Sequence, residues 1–143
     1  MWIKAVKNSK IKILEEKKLK IQNGVDIIEV DRIKEAIESQ GEIFLNKVYT
    51  QNEINYCKDT NKMKYQHYAA RFAAKEAVFK AISSKIENNK QDIWKSIEIL
   101  NDENGKPIVN ISKLNLKNIT SMDLSITHIK EYAIAMFSII FED

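Results

Sequence analysis

Hydrophobic residues change their spacing several times along this chain, and the changes predict a strand followed by three helices. The apolar run from Ile21 to Ile28 predicts a strand, and residues 31–43 follow it with apolar positions at helical spacing. Thr50 and Glu53 form a capping box, which predicts that a second helix begins there. Residues 64–84 contain no Gly or Pro and are rich in Ala, Lys and Glu, so they predict the longest helix.

The C-terminal part of the chain predicts two antiparallel hairpins. Apolar and polar residues alternate enough over residues 93–100 to predict a strand. Residues 108–111 can return beside it after the tight turn that Asn104-Gly105 favours. Residues 124–127 and 132–141 form a second pair, and the last strand is apolar enough to be central in a sheet. We therefore expect an α+β domain in which helices pack on a small antiparallel sheet.

The length and composition fit one domain preceded by a basic extension. With 143 residues, 44% of them hydrophobic, the chain can bury a core without disulfides. We place the folded domain at residues 20–143 and a lysine-rich extension at residues 1–19. This extension is expected to be loose or to form an extra edge strand; an organellar address is a third alternative, which Glu15 and Glu16 disfavour. Apolar anchors for an edge strand would be Ile11, Ile13 and Leu14.

Charge, cysteine content and hydropathy exclude several classes of protein. The net charge of +3 comes from 23 basic and 20 acidic residues that are interspersed, which does not suit a nucleic-acid-binding surface. Cys57 is the single cysteine, so an intramolecular disulfide and a cysteine-based zinc site are excluded, and we interpret Cys57 as a small apolar residue. No long apolar run marks a signal peptide or a membrane span. We expect a cytoplasmic protein that binds neither membranes nor nucleic acids.

Glu76 is a carboxylate in an apolar setting on the longest predicted helix. Helical periodicity places it on one stripe that should face the core. A buried carboxylate must be paired, bound to a metal or protonated, because burying a bare charge is costly. One alternative is a simple ion pair with Lys80, one helical turn further on. The predicted stripe consists of Tyr65, Ala69, Phe72, Glu76 and Phe79.

Asp26 is a second isolated acid, since it interrupts the first apolar strand. Gly24, two residues earlier, leaves room for something to approach the backbone closely. A helix N-cap or a turn is the alternative role for Asp26. Taken together, Asp26 and Glu76 suggest a hard cation such as Mg²⁺, which binds a few protein carboxylates and completes its shell with water and phosphate oxygens.

Four segments of the chain resemble the motifs of a known family, the acyl-carrier-protein synthases. GVDIIE at residues 24–29 and RFAAKEAVFKA at residues 71–81 resemble the two signature motifs of that family. NGKP at residues 104–107 is similar to its Gly-Lys-Pro turn, and LSITHIKEYA at residues 124–133 is similar to its C-terminal Ser-Ile-(Ser/Thr)-His segment. The four motifs occur in the family's order, and the resemblance extends over about residues 20–141.

The resemblance implies the 4′-phosphopantetheinyl transferase fold and an enzyme that moves the 4′-phosphopantetheine group of coenzyme A to a serine of apo-acyl carrier protein, in fatty acid biosynthesis. The products would be holo-acyl carrier protein and adenosine 3′,5′-bisphosphate. It also implies a homotrimer with active sites between neighbouring subunits.

The family's functional residues can be matched to positions in this chain. Asp26 and Glu76 match the Mg²⁺ ligands, and Arg32 matches a residue that docks the carrier protein. The catalytic candidates are Glu76, Lys80 and His128. The proton acceptor for the serine stays open between Glu76, a metal-bound water and His128. The residues expected to line the coenzyme A pocket are Arg71, Phe72, Lys80, Lys106, Pro107 and His128.

Two departures from the family's pattern keep other interpretations open. Gln22 stands where the family has a glycine, and Ser83-Ser84-Lys85 replaces a Gly-Thr-Gly turn. The replaced turn makes a non-catalytic nucleotide-binding or scaffold protein one rival. The lysine-rich start makes a small basic nucleic-acid binder a weaker one. Without the resemblance, His128 would be interpreted as a turn or surface residue, and Lys106 and Arg32 as solvated side chains.

Overall fold

A computed structural model describes residues 16–87 and 92–143 of the chain, so most of the expected extension, including its apolar anchors, lies outside the described residues. The arrangement is the α+β class that the pattern predicts. In chain order, the strands and helices are β1 (Leu19–Glu29), α1 (Val30–Gln40), α2 (Glu42–Val48), α3 (Gln51–Lys58), α4 (Lys64–Ile82), α5 (Ile93–Ser96), β2 (Glu98–Asn101), β3 (Pro107–Asn110), β4 (Ile119–His128) and β5 (Tyr132–Glu142).

A three-stranded antiparallel sheet brings the two ends of the described chain together. Its strand order is β1-β5-β4, so the apolar C-terminal strand is central, as its sequence predicts. β1 pairs with β5 from Leu19 opposite Glu142 to Glu29 opposite Tyr132. The predicted hairpin of β2 and β3 forms a separate two-stranded sheet, and Gly105 in its turn has φ +81°.

Helix α4 lies across the inner face of the large sheet at very short range. Its contact side is formed by small residues, among them Ala73, Ala77 and Ala81, which are buried in the core with Phe137 of β5. A Cβ atom added to Gly24 of β1 would lie 1.7 Å from the carbonyl oxygen of Ala77. The space that Gly24 leaves is therefore filled by the backbone of α4.

The aromatic stripe predicted to face the core does not form the buried side of α4. Ala69 is buried, but Phe79 is 39% exposed, and Tyr65, Phe72 and Glu76 are only half-buried. The prediction was wrong because large apolar residues dominate a periodicity pattern, whereas the close approach to β1 admits only alanine-sized side chains. The large residues of the stripe lie along the margin of the contact.

Two predicted element boundaries were also wrong. The first helix ends at Gln40, because Gly41 adopts φ 57° and ψ −131°, and Ile43 belongs to α2 with 76% of its surface exposed. The strand expected over residues 93–100 begins only at Glu98, since residues 93–96 form the short helix α5. Within residues 16–87 and 92–143, none of the helices has the length and apolar character needed to span a membrane.

The core contains a fully buried ion pair between Glu53 of α3 and Lys75 of α4. Their charged atoms are 2.6 Å apart, and both side chains are 0% exposed. Glu53 completes the predicted capping box with Thr50, and its second carboxylate oxygen accepts a hydrogen bond from the backbone of Ile99 at 2.8 Å. The sequence analysis did not single out this pair, although it connects three elements around the site described next.

Candidate active site

Asp26, Glu76 and Lys80 meet where β1 lies against α4. The Lys80 ammonium donates to Asp26 Oδ1 at 2.8 Å and to the carbonyl oxygen of Val25 at 2.9 Å. Among the described residues Lys80 therefore bonds to Asp26, and the alternative pair with Glu76 at helical spacing is not formed. The close approach at Gly24 explains the geometry, because it sets α4 within side-chain reach of the strand.

The two carboxylates are close enough to affect each other's ionisation. Partial burial raises the pKa of Glu76, the negative charge of Asp26 raises it further, and Lys80 opposes both effects. Glu76 therefore holds its negative charge at a cost, which a cation between the two acids would relieve.

The donor set fits a magnesium ion. Two carboxylates from adjacent elements can supply two oxygen ligands and leave the remaining octahedral positions for water and phosphate. In the part of the chain that the structure describes, no group of three or more His, Cys, Asp or Glu residues could hold a metal. This excludes a fully protein-ligated centre there, whereas a hydrated ion on Asp26 and Glu76 needs only these two residues.

A small apolar cavity of about 150 Å³ adjoins Glu76. Its wall includes Trp94, whose ring stacks on Phe72 with centroids 5.2 Å apart and planes 23° apart. The buried Lys75 donates to the Trp94 carbonyl oxygen at 2.8 Å and so holds α5 against α4. Phe72 was expected near the ligand, but Trp94 was not, because residues 93–100 were interpreted as a strand.

A second, polar cleft of about 230 Å³ brings three of the expected pocket residues together: Arg71, Pro107 and His128. Arg71 is only 4% exposed, donates to Asn101 Oδ1 at 2.6 Å and lies 4.0 Å from the centroid of the Tyr56 ring. The cleft is formed by α3, α4, both strands of the hairpin and the end of β4. Tertiary structure thus brings residues of three of the four recognised motifs together around the buried guanidinium of Arg71.

Lys106 and Arg32 lie outside these two cavities. Lys106 pairs with Asp123 at 3.0 Å, and both side chains are largely exposed, so this pair contributes little to stability. A shallow cleft of about 340 Å³ includes Lys106 and Pro107, so Pro107 belongs to both clefts. Arg32 is exposed on α1, and it forms no ion pair among the four found in the described chain.

The two departures from the family's pattern lie against each other. Gln22 of β1 donates from Nε2 to Ser84 Oγ at 3.3 Å. Gln22, which replaces a glycine, thus contacts Ser84, the middle residue of the replaced turn, and links the strand to the turn after α4. This turn is a short 3₁₀ helix, Ser83–Lys85.

The site also contains residues that sequence reasoning missed, namely Tyr56, Gln66, His67, Trp94 and Asn101. His67 precedes Arg71 by one helical turn, and that i, i+4 spacing was the one signal available in the sequence. Tyr56, Trp94 and Asn101 come from other elements, so no local pattern connects them to Arg71 or Glu76.

Comparison with known proteins defines the class and then the family. The sequence profile of the 4′-phosphopantetheinyl transferase superfamily matches residues 22–137. A holo-(acyl-carrier-protein) synthase of Ruminiclostridium cellulolyticum is 49% identical over 117 residues, which are 78% of this chain and 86% of that protein. One from Protochlamydia amoebophila is 47% identical over 114 residues, 78% of this chain and 91% of that protein.

A solved structure agrees with this assignment. The holo-(acyl-carrier-protein) synthase of Bacillus anthracis, in complex with coenzyme A (3′,5′-ADP), has a TM-score of 0.71 and 33% identity, covering 87% of this chain and 99% of that one. The fold is thus that of a 4′-phosphopantetheinyl transferase. Within that class, the chain belongs to the holo-(acyl-carrier-protein) synthase family.

Proposed function

We propose that this chain transfers the 4′-phosphopantetheine group of coenzyme A to a serine of apo-acyl carrier protein, with Mg²⁺ held by Asp26 and Glu76. The products are holo-acyl carrier protein and adenosine 3′,5′-bisphosphate, and the reaction serves fatty acid biosynthesis. The observation that carries the proposal is the meeting of Asp26, Glu76 and Lys80 at the contact of β1 with α4, in a chain of this family. The cytoplasmic location expected from the sequence stays a prediction.

The residues at this contact have separate roles in the transfer. When bound, Mg²⁺ neutralises charge on the pyrophosphate of coenzyme A and on the leaving phosphate. Lys80 lies beside Asp26 and stabilises the same developing charge from the protein side. The proton of the attacking serine needs an acceptor, and Glu76, a metal-bound water or His128 could serve.

The two cavities suit the two ends of coenzyme A. The apolar cavity beside Glu76, with its Trp94 wall, suits the pantetheine arm, which has little charge. The cleft around Arg71, Pro107 and His128 suits the phosphate-bearing nucleotide end. Lys106 lies at the neighbouring cleft and can reach a phosphate only by leaving Asp123, which costs little because both groups are exposed.

A homotrimer is part of the proposal. The outer face of the large sheet exposes apolar residues on both paired strands, with Val25 opposite Met136 and Ile27 opposite Ile134. A contiguous apolar face on a folded protein is typical of a protein interface. A Val25→Lys substitution should give a monomer without activity in sedimentation and transfer assays, and an active monomer of the wild-type chain would contradict the trimer.

The reaction can be tested by mass spectrometry of apo-acyl carrier protein incubated with the chain, coenzyme A and Mg²⁺. The mass of a phosphopantetheine group should appear on the carrier serine. Asp26→Asn and Glu76→Gln should each slow transfer at least about a hundredfold, since losing even an outer-shell partner of a metal site costs 10–100-fold. Glu87→Gln, at an exposed position outside the site, is the matched control. Wild-type transfer rates in both site variants would refute the metal assignment.

A further inference from the structure

The cleft around Arg71 holds a buried positive charge that no acidic group balances. Arg71 forms none of the four ion pairs found in the described chain, and its hydrogen-bond partner Asn101 is neutral. Its Nε atom is buried and has no hydrogen-bond partner within residues 16–87 and 92–143. A buried, uncompensated guanidinium is costly to maintain. The cleft is therefore arranged to receive an anion.

His67 lines this cleft, and one of its ring nitrogens has no hydrogen-bond partner among the described residues. This nitrogen is the buried Nδ1 atom. The His67 ring stands edge-on to the His128 ring with centroids 5.6 Å apart. The centroid of the Tyr56 ring lies 5.7 Å from that of His67. His67 and Arg71 are four residues apart on α4, so both side chains extend from one face of the helix into the same cleft.

His128 completes a group of three nitrogen-bearing side chains. Its Nδ1 lies 2.9 Å from Gln66 Oε1, an amide oxygen that can only accept, so Nδ1 carries the proton in this contact. Its Nε2 is then left for a ligand. The other elements around His67 contribute no acidic group to the cleft: α3 supplies Tyr56, and the hairpin supplies Asn101 and Pro107.

The protonation of His67 should change when an anion enters. Burial lowers the pKa of His67, and the charge of Arg71 and the neighbouring His128 lower it further, so the His67 ring is neutral at pH 7. A phosphate beside it supplies negative charge and acceptor oxygens, and both favour the protonated ring. Phosphate binding and proton uptake are thereby linked.

We propose that His67 is a phosphate-binding residue of this cleft, and that a phosphate group held by Arg71, His67 and His128 binds together with a proton. The inference rests on the proposed function, because coenzyme A is the phosphate-bearing substrate. Coenzyme A offers two sources of this chemistry, its 3′-phosphate monoester and its pyrophosphate.

The test is calorimetric titration of the full chain with coenzyme A at pH 7, in two buffers of different ionisation enthalpy, which reports the protons taken up. His67→Phe keeps an aromatic ring between Tyr56 and His128 but removes both nitrogens. It should weaken coenzyme A binding about tenfold or more, as expected for a hydrogen bond to a charged group, and reduce proton uptake. His67→Gln should recover part of the affinity, because its amide can donate, but none of the lost proton uptake.

The controls separate the outcomes. Tyr65→Phe removes a polar group on the same helix, one that contacts Glu38 instead of the cleft, and should bind like the wild type. If dephospho-coenzyme A is insensitive to His67→Phe, the monoester occupies the cleft; if it is equally sensitive, the pyrophosphate does, and either result supports the inference. A folded His67→Phe with wild-type affinity and proton uptake would overturn it without bearing on the proposed transfer activity. A wild-type chain that does not bind coenzyme A would overturn the proposed function as well.

Discussion

Replacing Lys75 by Met should destabilise the chain far more than any surface lysine change, because it leaves a carboxylate buried without its cation. Met has a similar length, so the perturbation is mainly the lost ammonium. That ammonium lies 2.6 Å from Glu53 and donates to the carbonyl oxygens of Val48 at 2.7 Å and Trp94 at 2.8 Å. All three acceptors lose a charge-assisted hydrogen bond at once.

The expected loss is about 3 to 5 kcal/mol, the range seen when one partner of a buried ion pair is removed. Glu53 keeps the backbone donors of Thr50 and Ile99, both at 2.8 Å, which places the loss toward the lower end of that range. For a chain of this size, this corresponds to a decrease in Tm of roughly 10 °C or more. Lys106→Met is the matched control, since its exposed pair with Asp123 should contribute at most about 1 kcal/mol.

Urea unfolding of both variants at several pH values measures the effect. Burial already raises the pKa of Glu53, and Lys75 lowers it, so removing Lys75 raises it further. A group whose pKa is raised in the folded state contributes stability below its unfolded pKa and loses it as pH rises through the folded value. The deficit of Lys75→Met should therefore shrink as pH falls through the pKa of Glu53. The reasoning would be refuted by equal stabilities of Lys75→Met and Lys106→Met at pH 7.

Three further predictions concern the site and its frame. Glu76→Gln, measured without metal, should have a Tm at pH 7 equal to or above that of the wild type, because the raised pKa of Glu76 means that its negative charge destabilises the fold. The gain in Tm should shrink as pH falls through the pKa of Glu76. A lower Tm of the variant at pH 7 would contradict this prediction. Gly24→Ala should lower the free energy of unfolding by about 3 kcal/mol or prevent folding, because the new Cβ would lie 1.7 Å from the Ala77 carbonyl oxygen. An unchanged free energy of unfolding in urea would contradict this packing. Arg32→Glu should raise the KM of the carrier protein about tenfold and leave that of coenzyme A unchanged, with Lys113→Glu as an exposed control; equal effects on both substrates would show that Arg32 is not a docking residue.

Local patterns were sufficient for much of the fold. The helix expected over residues 64–84 is observed at Lys64–Ile82, and the capping box at Thr50 begins α3 as predicted. These features depend on hydrogen bonds between residues a few positions apart, which the sequence displays directly. The predicted end of the first helix was wrong because the backbone conformation of Gly41, with φ 57°, ends α1 there. The spacing of hydrophobic residues carries no information about this conformation.

The candidate site was predictable in part, for a different reason. Asp26 and Glu76 were conspicuous as acids in apolar runs, and the resemblance to a family assigned them a shared role. Trp94 and His67 were missed because their importance comes from what they face, in each case a residue supplied by another element. The sequence alone reveals a side chain of a cleft only when its chemistry differs from that of its neighbours in the chain, as an acid does in an apolar run.

By itself, the sequence determined the α+β class and the order of the main elements, and it marked Asp26 and Glu76 as candidate ligands of a hard cation, because these inferences follow from short-range spacing and side-chain chemistry. Only the tertiary structure decided which partners those residues have: Lys80 bonds to Asp26 across the contact of β1 with α4, and the buried pair is Glu53 with Lys75. The physical reason is the alanine-lined approach of α4 to Gly24, a long-range packing distance that decides which side chains can meet.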